Sequence, residues 1–391
     1  MGNDGFFGLR IGFRGLVAAS GFLSGLGMVA GWFGEHAWWL DLGAHFKFIY
    51  LLVFCLVAAA YAWDRRWLIA LGAAGFAGAN LLPLLPYLRG ACDTSTGVAS
   101  SCRAMMVNVN TFHGDPSRVA AAIRAERPDI LLLLEVDRRW LSSMGPALGD
   151  FAYRLVEPRP DNFGIALFSR LPWEDARVVF IGEANLPSVQ ARIRIGDSWL
   201  CVLGTHPPPP VGHRMWSLRN DQLSQLGRYV RGIAGPLIVF GDLNTTPWAY
   251  HFGRFMAASG LENSALGRGI HGTWPIFARP FALPIDHFLY RGQVVVLGRR
   301  EGADLASDHL PIIVDFGIGT PPRRAQAKPT NGLNFSDRPS KMKRGAWIAR
   351  ARGESNPSRE AWARGRAGGT GLGDQALARS ATSIHESGGQ I

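Results

Sequence analysis

The chain has 391 residues, 47% of them apolar, and a formal net charge of +11. That length accommodates a large catalytic domain with appendages, and that apolar share is enough to bury a substantial core. The charge is concentrated at one end: from Gly317 onward there are 13 Lys/Arg against 5 Asp/Glu, leaving 28 against 25 upstream. The basic balance therefore belongs to the tail and does not mark the rest of the chain as a polyanion binder.

Three apolar runs open the sequence: Leu16 to Phe33, Phe48 to Trp63 and Trp67 to Leu88. Each approaches the roughly 20 residues that cross a bilayer as a helix, so helices are expected near 15–33, 48–63 and 67–88, within an anchor spanning 1–90. A cleavable signal peptide would account for the first run alone, but it lacks an A-x-A site and two further runs follow. Arg10 and Arg14 favour a cytoplasmic N-terminus, and Arg65-Arg66 marks a second inside loop. The loop Gly34 to His45 carries Glu35 and Asp41 and no Lys or Arg, as an outside loop does. Three crossings make this a multi-pass inner-membrane protein with everything after Leu88 extracytoplasmic, periplasmic in a two-membrane cell. In that compartment Cys92 and Cys102, at the ends of the linker 91–102, can close a small disulfide loop. Cys55 and Cys201 are expected as plain core residues.

Residues 103–316 are expected to form one α/β domain. Ala104 to Val109 is a strand, and Asp115-Pro116 opens a helix with a capping side chain and proline at the first helical position. Ile130 to Val136 is a buried strand that delivers Glu135. Strands follow at 165–168, 176–181, 189–195 and 200–204, the last leading to Thr205-His206. A helix from about Arg214 to Ile233 places Leu223, Leu226, Val230 and Ile233 on one face. It feeds the strand Leu237 to Phe240, which ends in Asp242. Strands at 285–290, 294–297 and 312–316 complete the set. The order helix, proline, buried strand, acid occurs twice, ending in Glu135 and in Asp242, as two similar halves converging on one cleft would require. Residues 317–391, rich in Gly, Arg, Ser and Pro, are expected to be a basic disordered tail.

Gly241-Asp242-Leu243-Asn244 and Ser307-Asp308-His309 together suit metal-assisted attack on a phosphoester, an anionic group that repels hydroxide. Such hydrolysis needs a cation to offset charge, a base for water and a donor for the leaving oxygen. Glu135, at a strand end after four leucines, is a hard oxygen ligand suited to Mg²⁺. Asp242 and Asn244 lie two apart, so an extended strand turns both to one side.

Six segments in order resemble the endonuclease/exonuclease/phosphatase superfamily: Val107 to Phe112, Leu134-Glu135-Val136, Gly204 to Pro208, Gly241 to Asn244, Pro284 to His287 and Ser307 to Pro311. The resemblance spans about Arg103 to Phe316. That superfamily includes deoxyribonuclease-type nucleases, apurinic endonucleases, sphingomyelinases and inositol polyphosphate phosphatases. Thr273-Trp274-Pro275 further resembles a membrane-anchored bacterial branch. The resemblance implies a four-layer α/β/β/α sandwich. It also implies Mg²⁺, replaceable by Mn²⁺, held by Glu135 and Asp308 with Asn108 completing the shell. Asp242 would orient or deprotonate water and Asn244 bind phosphate. His309 would contact the scissile phosphate with Asp286 as its carboxylate partner, and His206 would be a second donor. Asn110 departs from apurinic-type endonucleases, which carry Asp there. Arg219, Asn220 and Trp248 are candidate substrate contacts, although a solvated helix face also accounts for the first two.

The expected activity is thus a membrane-anchored phosphodiesterase acting on a phospholipid-type or nucleic-acid phosphodiester, and charge in the catalytic domain does not indicate nucleic acid. The alternative class is a catalytically silent membrane binding or signalling module that keeps the fold.

Overall fold

A computed structural model of the chain describes residues 12–90 and 98–319, all within one unit covering residues 1–326. The basic tail beyond Gly319 and Cys92 lie outside the described residues, so the tail and the Cys92–Cys102 bridge remain sequence expectations.

In chain order, α1 (Phe13–Trp32), α2 (Trp38–Leu42), α3 (Lys47–Trp63), α4 (Trp67–Leu81) and α5 (Leu85–Leu88) come first. Then follow β1 (Val98–Asn108), α6 (Pro116–Glu126), β2 (Ile130–Leu134), α7 (Arg138–Ser143), α8 (Gly145–Leu148), β3 (Tyr153–Glu157), β4 (Ile165–Ser169), β5 (Trp173–Phe180), β6 (Pro187–Ile195) and β7 (Ser198–Gly204). The remainder is α9 (Gly212–Arg231), β8 (Leu237–Asp242), α10 (Tyr250–Ser259), β9 (Glu262–Asn263), a short 3₁₀ turn at Ile276–Ala278, β10 (Asp286–Arg291), β11 (Val294–Glu301) and β12 (Ile312–Gly319).

Among the described residues only α1 has both the length and the composition to cross a membrane; α3 and α4 are apolar but have 17 and 15 residues. The expected third run, 67–88, is interrupted: α4 ends at Leu81 and α5 restarts at Leu85. Pro83 and Pro86 explain the break, since proline removes an amide donor and restricts the residue before it. Cys55, expected in a core, faces outward from α3, whereas Cys201 is buried. Arg14 at the start of α1 bonds Asp64 at the end of α3 at 2.7 Å, so the two helices are antiparallel and those ends lie together.

Two six-stranded sheets form the body, ordered β11-β12-β1-β2-β4-β3 and β5-β6-β7-β8-β10-β9. A core of Leu132, Leu134, Leu167, Val202, Ile238, Phe240, Phe288 and Phe316 lies between them. Helices α6 and α7 cover the outer face of the first sheet through Val119, Ile123 and Trp140, and α9 and α10 cover the second through Leu223, Leu226, Phe252 and Phe255. These are the expected four layers. The helix starts follow local chemistry: Asp115 accepts the amides of Ser117 and Arg118 ahead of Pro116. Strands β2, β4 and β8 are buried at every residue, which is why they are continuous apolar runs rather than alternating ones. The short strand β3 was not expected from sequence, and β1 begins at Val98, inside the stretch assigned to the linker.

Sheet direction brings the functional segments to one edge. Strand β1 is parallel to β2, and β7 to β8, and the bond from Asn108 to Asp242 brings the carboxyl ends of the two pairs together. Strands β10 and β12 run antiparallel to β8 and β1, so their first residues lie at that edge too; Asp286 pairs with Asp242 in register. Close packing here requires glycine at position 241, where a Cβ would stand 1.8 Å from the Thr205 carbonyl oxygen. Gly241→Ala should therefore cost about 3 kcal/mol. Gly253→Ala, on the exposed face of α10 with open space around it, should gain up to about 1 kcal/mol. Thermal unfolding of the full-length protein in detergent should show opposite shifts; equal shifts would refute the packing argument.

Candidate active site at the strand ends

Asp242, the last residue of β8, is buried at 1% exposure, directly across the sheet from Asp286, also at 1%. His309, in the loop before β12, bridges them: its Nδ1 lies 2.9 Å from Asp286 Oδ2 and its Nε2 3.6 Å from Asp242 Oδ2. Asp242, Asp286 and His309 can each turn a ligand atom toward the others within 4.8 Å. His206, following β7, approaches Asp242 from the other side at 3.6 Å.

Asn108, ending β1, joins the two halves. Its amide donates to Glu135 Oε1 at 2.9 Å and to Asp242 Oδ2 at 3.2 Å. Asn244 donates to the Pro207 carbonyl at 3.0 Å and lies 3.3 Å from His206 Nε2, while its own backbone amide donates to Asp242 Oδ1 at 2.8 Å. The Ser307 hydroxyl donates to the Asn108 carbonyl at 2.8 Å and accepts the His309 amide at 3.1 Å, pinning the Ser307-Asp308-His309 loop to β1. Asn110, Glu135 and Asn244 all have left-handed backbones, with φ of 52°, 60° and 50°. Asn tolerates this conformation; for Glu135 it costs about 1–2 kcal/mol, so its placement is fixed by the surroundings rather than by local preference.

Asp308 is held by two donors: the Asn110 amide at 2.7 Å and the Trp274 indole N–H at 2.9 Å. Asn110, noted in the sequence only as a missing carboxylate, thus supports Asp308. Trp274 belongs to the Thr-Trp-Pro motif and had been given no part in the site. Its indole donor is the physical signal that a polar partner was nearby.

Burial raises Glu135 above the usual carboxylate range, partly offset by Asn108. Burial and then the Asp286 charge push Asp242 up to about 8. Burial would raise Asp286 as well, but the His309 imidazolium outweighs it and holds Asp286 low. Burial opposes protonation of His309, yet Asp286 and Asp242 raise it to about 10. His206 is driven down to about 4 by burial and by His309, so it is neutral. His287 is likewise lowered to about 4, chiefly by burial, with its Nε2 on the Thr245 carbonyl at 2.8 Å; it is a core residue. The donor set fits a divalent cation: crowded carboxylates, two of them raised, gain from a hard positive charge. The tightest group, Asp242, Asp286 and His309, differs from the Glu135, Asp308 and Asn108 set expected from sequence. Asn108 nevertheless reaches both groups, and the Asp308 charge is felt at Glu135.

The three expected substrate contacts are engaged by other parts of the chain. Arg219 is fully buried: it bonds Asp41 Oδ2 at 2.6 Å, Asn220 Oδ1 at 2.7 Å and the Asn244 carbonyl at 3.0 Å. A guanidinium on a helix packed beneath the site cannot remain exposed, so it takes Asp41, itself fully buried in α2, as counter-ion. Asn220 accepts from Arg219 through its Oδ1 and is 8% exposed. The Trp248 indole donates to the His45 carbonyl at 3.0 Å, and its ring meets Tyr87 edge-on at 6.3 Å. His45 in turn lies 2.9 Å from Thr246 Oγ1. The segment between α1 and α3 and the exit from α5 therefore both rest on the 242–248 loop. Asp41→Asn should cost about 3–5 kcal/mol, because it strands a buried guanidinium. Asp41→Leu with Arg219→Met should recover most of that loss. Melting of the detergent-solubilised protein checks this; an Asp41→Asn variant as stable as the parent would refute it.

A sequence model described as the Endonuclease/Exonuclease/phosphatase family matches residues 107–309. Nocturnin from Drosophila melanogaster is 29% identical over 152 residues, covering 33% of this chain and 23% of that protein, so the match spans under a quarter of the relative. The human Nocturnin catalytic domain with bound sulfate is 20% identical with a TM-score of 0.46, covering 57% of this chain and 96% of that one. An endonuclease/exonuclease/phosphatase from Beutenbergia cavernae DSM 12333 is 20% identical with a TM-score of 0.47, covering 57% and 73%. With its six motif segments brought to one edge of a two-sheet α/β body, and with the family match running through most of that body, this chain belongs to the endonuclease/exonuclease/phosphatase family.

Proposed function

We propose that the protein is a membrane-anchored, Mg²⁺-dependent phosphodiesterase whose active site lies outside the cytoplasm. The observation that carries it is the junction of Asp242, Asp286 and His309, tied to Glu135 through Asn108. A divalent cation, Mg²⁺ or Mn²⁺, held by Glu135 and Asp308 with Asn108 beside them, would supply Lewis-acid stabilisation of charge on the phosphoryl oxygens. Asp242 orients the attacking water and takes its proton. The water oxygen bonds to phosphorus, the bond to the leaving oxygen breaks, and that oxygen receives a proton. His309, kept cationic between Asp286 and Asp242, faces the phosphate as a charged donor. His206 is the neutral donor, and Asn244 adds an amide toward the phosphate.

Membrane anchoring is supported by the outward faces of α1, α3 and α4. Leu16, Phe22, Leu23, Leu52, Leu68 and Leu71 are all exposed, and helices apolar on every face suit lipid rather than water. Arg14, Arg65 and Arg66 gather at one end of the bundle, and the catalytic body contacts the other through Asp41 and His45. This arrangement supports a cytoplasmic basic end and an extracytoplasmic site.

Full-length protein in detergent micelles should hydrolyse bis-p-nitrophenyl phosphate with Mg²⁺ and lose activity with EDTA. Glu135→Ala and Asp242→Ala should each lower turnover by about 10³-fold. A folded protein inert toward this diester with either metal would point to a silent binding module. An alkaline phosphatase fused after Phe316 should be active in cells; an inactive fusion paired with a fluorescent cytoplasmic reporter would reverse the orientation.

A further inference from the structure

The segment between Trp274 and Leu283 connects the candidate site to the anchor. Its base is closed by backbone pairing of Trp274 with Leu283, including Trp274 N–H to the Leu283 carbonyl at 3.1 Å. One arm of that base serves the chemistry. The Trp274 indole donates to Asp308 Oδ2, the Ile276 amide donates to the Asp308 carbonyl at 3.0 Å, and the Trp274 ring lies 6.3 Å from that of His309. The tip points away from any core: Phe277 is 86% exposed and Phe281 43%. Phe281 nevertheless meets an aromatic ring, Phe48 in the first turn of α3, with ring centroids 6.4 Å apart.

That contact locates the tip along the helix bundle. Phe48 lies at the opposite end of α3 from Asp64, the partner of Arg14, and therefore at the end that faces the catalytic body. Phe46 and Phe48 are themselves over a third exposed, and Phe48 meets Phe281 on the loop that also carries the exposed Phe277. An exposed phenylalanine in water is unremarkable singly, but here the end of an apolar helix touches a loop that carries two of them and also holds an active-site carboxylate. Arg279, between the two phenylalanines, is bonded to Glu301 at 2.8 Å, so the tip has no unpaired guanidinium to oppose insertion.

Resting on the phosphodiesterase reading above, we infer that the substrate is an amphiphile held in the outer leaflet, whose phosphodiester reaches the Asp308 side of the site while its apolar tail stays in lipid beside Phe277 and Phe281. Hydrolysis balances as written for any diester: water adds to phosphorus, the ester oxygen leaves with a proton, and a phosphomonoester and an alcohol result. The loop then serves two purposes at once, fixing Asp308 through Trp274 and seating the mouth of the site at the bilayer surface.

The test compares hexadecyl p-nitrophenyl phosphate with ethyl p-nitrophenyl phosphate, which differ only in the tail. Full-length protein is reconstituted into phosphatidylcholine vesicles with Mg²⁺, and a single-stranded DNA oligonucleotide is offered to the same vesicles. The hexadecyl ester should be preferred by at least about tenfold in kcat/KM, and its rate should follow its mole fraction in the vesicle rather than its bulk concentration. Phe277→Ser, at a position with no folding role, should shrink that preference several-fold, and Phe277→Ser with Phe281→Ser should nearly abolish it. Equal rates on the two esters, faster cleavage of the oligonucleotide, or a preference untouched by both variants would overturn the inference. Failure to cleave either ester with Mg²⁺ or Mn²⁺ would instead remove the hydrolase reading beneath it.

Discussion

The arrangement depends on crowding of carboxylates that the sheets themselves impose. The antiparallel register of β8 and β10 sets Asp242 opposite Asp286, and the chain cannot separate them without breaking the ladder. Two buried acids side by side resist ionising together. The protein answers with His309, whose imidazole stands between them and becomes strongly basic in consequence. Asn108 adds a neutral donor that reaches Asp242 and Glu135 together, linking one sheet to the other. Asn108, Asp242 and Asp286 therefore sit on strands, while the loop residue Asp308 is fixed by two donors of its own.

The same economy extends to the N-terminal helices. Trp248 closes the loop that begins at Asp242, and it meets the N-terminal segment twice, through the His45 carbonyl and the Tyr87 ring. Arg219 meets it a third time: one guanidinium binds Asp41, Asn220 and the carbonyl of Asn244. Backbone pairing of Gly267 and Gly269 with the carbonyls of Pro86 and Tyr87 adds a fourth tie. The helices at the start of the chain are thus joined to the loop that carries Asn244, not merely tethered ahead of β1.

Much of this was legible in the sequence, for identifiable reasons. Strands β2 and β8 are buried on both faces, so Leu131 to Leu134 and Leu237 to Phe240 form unmistakable apolar runs, and the acids that end them are adjacent in sequence to the signal. The motif around Ser307 was equally visible because the loop uses consecutive residues. By contrast, Arg219 lies on a polar helix and finds its counter-ion 178 positions away, and no local pattern distinguishes it from a solvated arginine. Trp248 was read as a substrate contact for the same reason: its partners, His45 and Tyr87, belong to a part of the chain interpreted only as membrane. Strand β3 was missed because Tyr153 to Glu157 alternates weakly at a sheet edge, half-buried on one side only. The third apolar run was overextended because hydropathy continues past Leu81 even though the helix, interrupted by Pro83, does not.

The dry contact between α2 and α9 has a practical corollary. Cutting the chain just ahead of β1 would leave the guanidinium of Arg219 buried without its acid, and would uncover Trp248 and the underside of the 242–248 loop. Excision by itself is then the wrong route to a free-standing two-sheet body. A workable derivative needs an uncharged replacement for Arg219 and a polar one for Trp248, so that the new surface tolerates solvent.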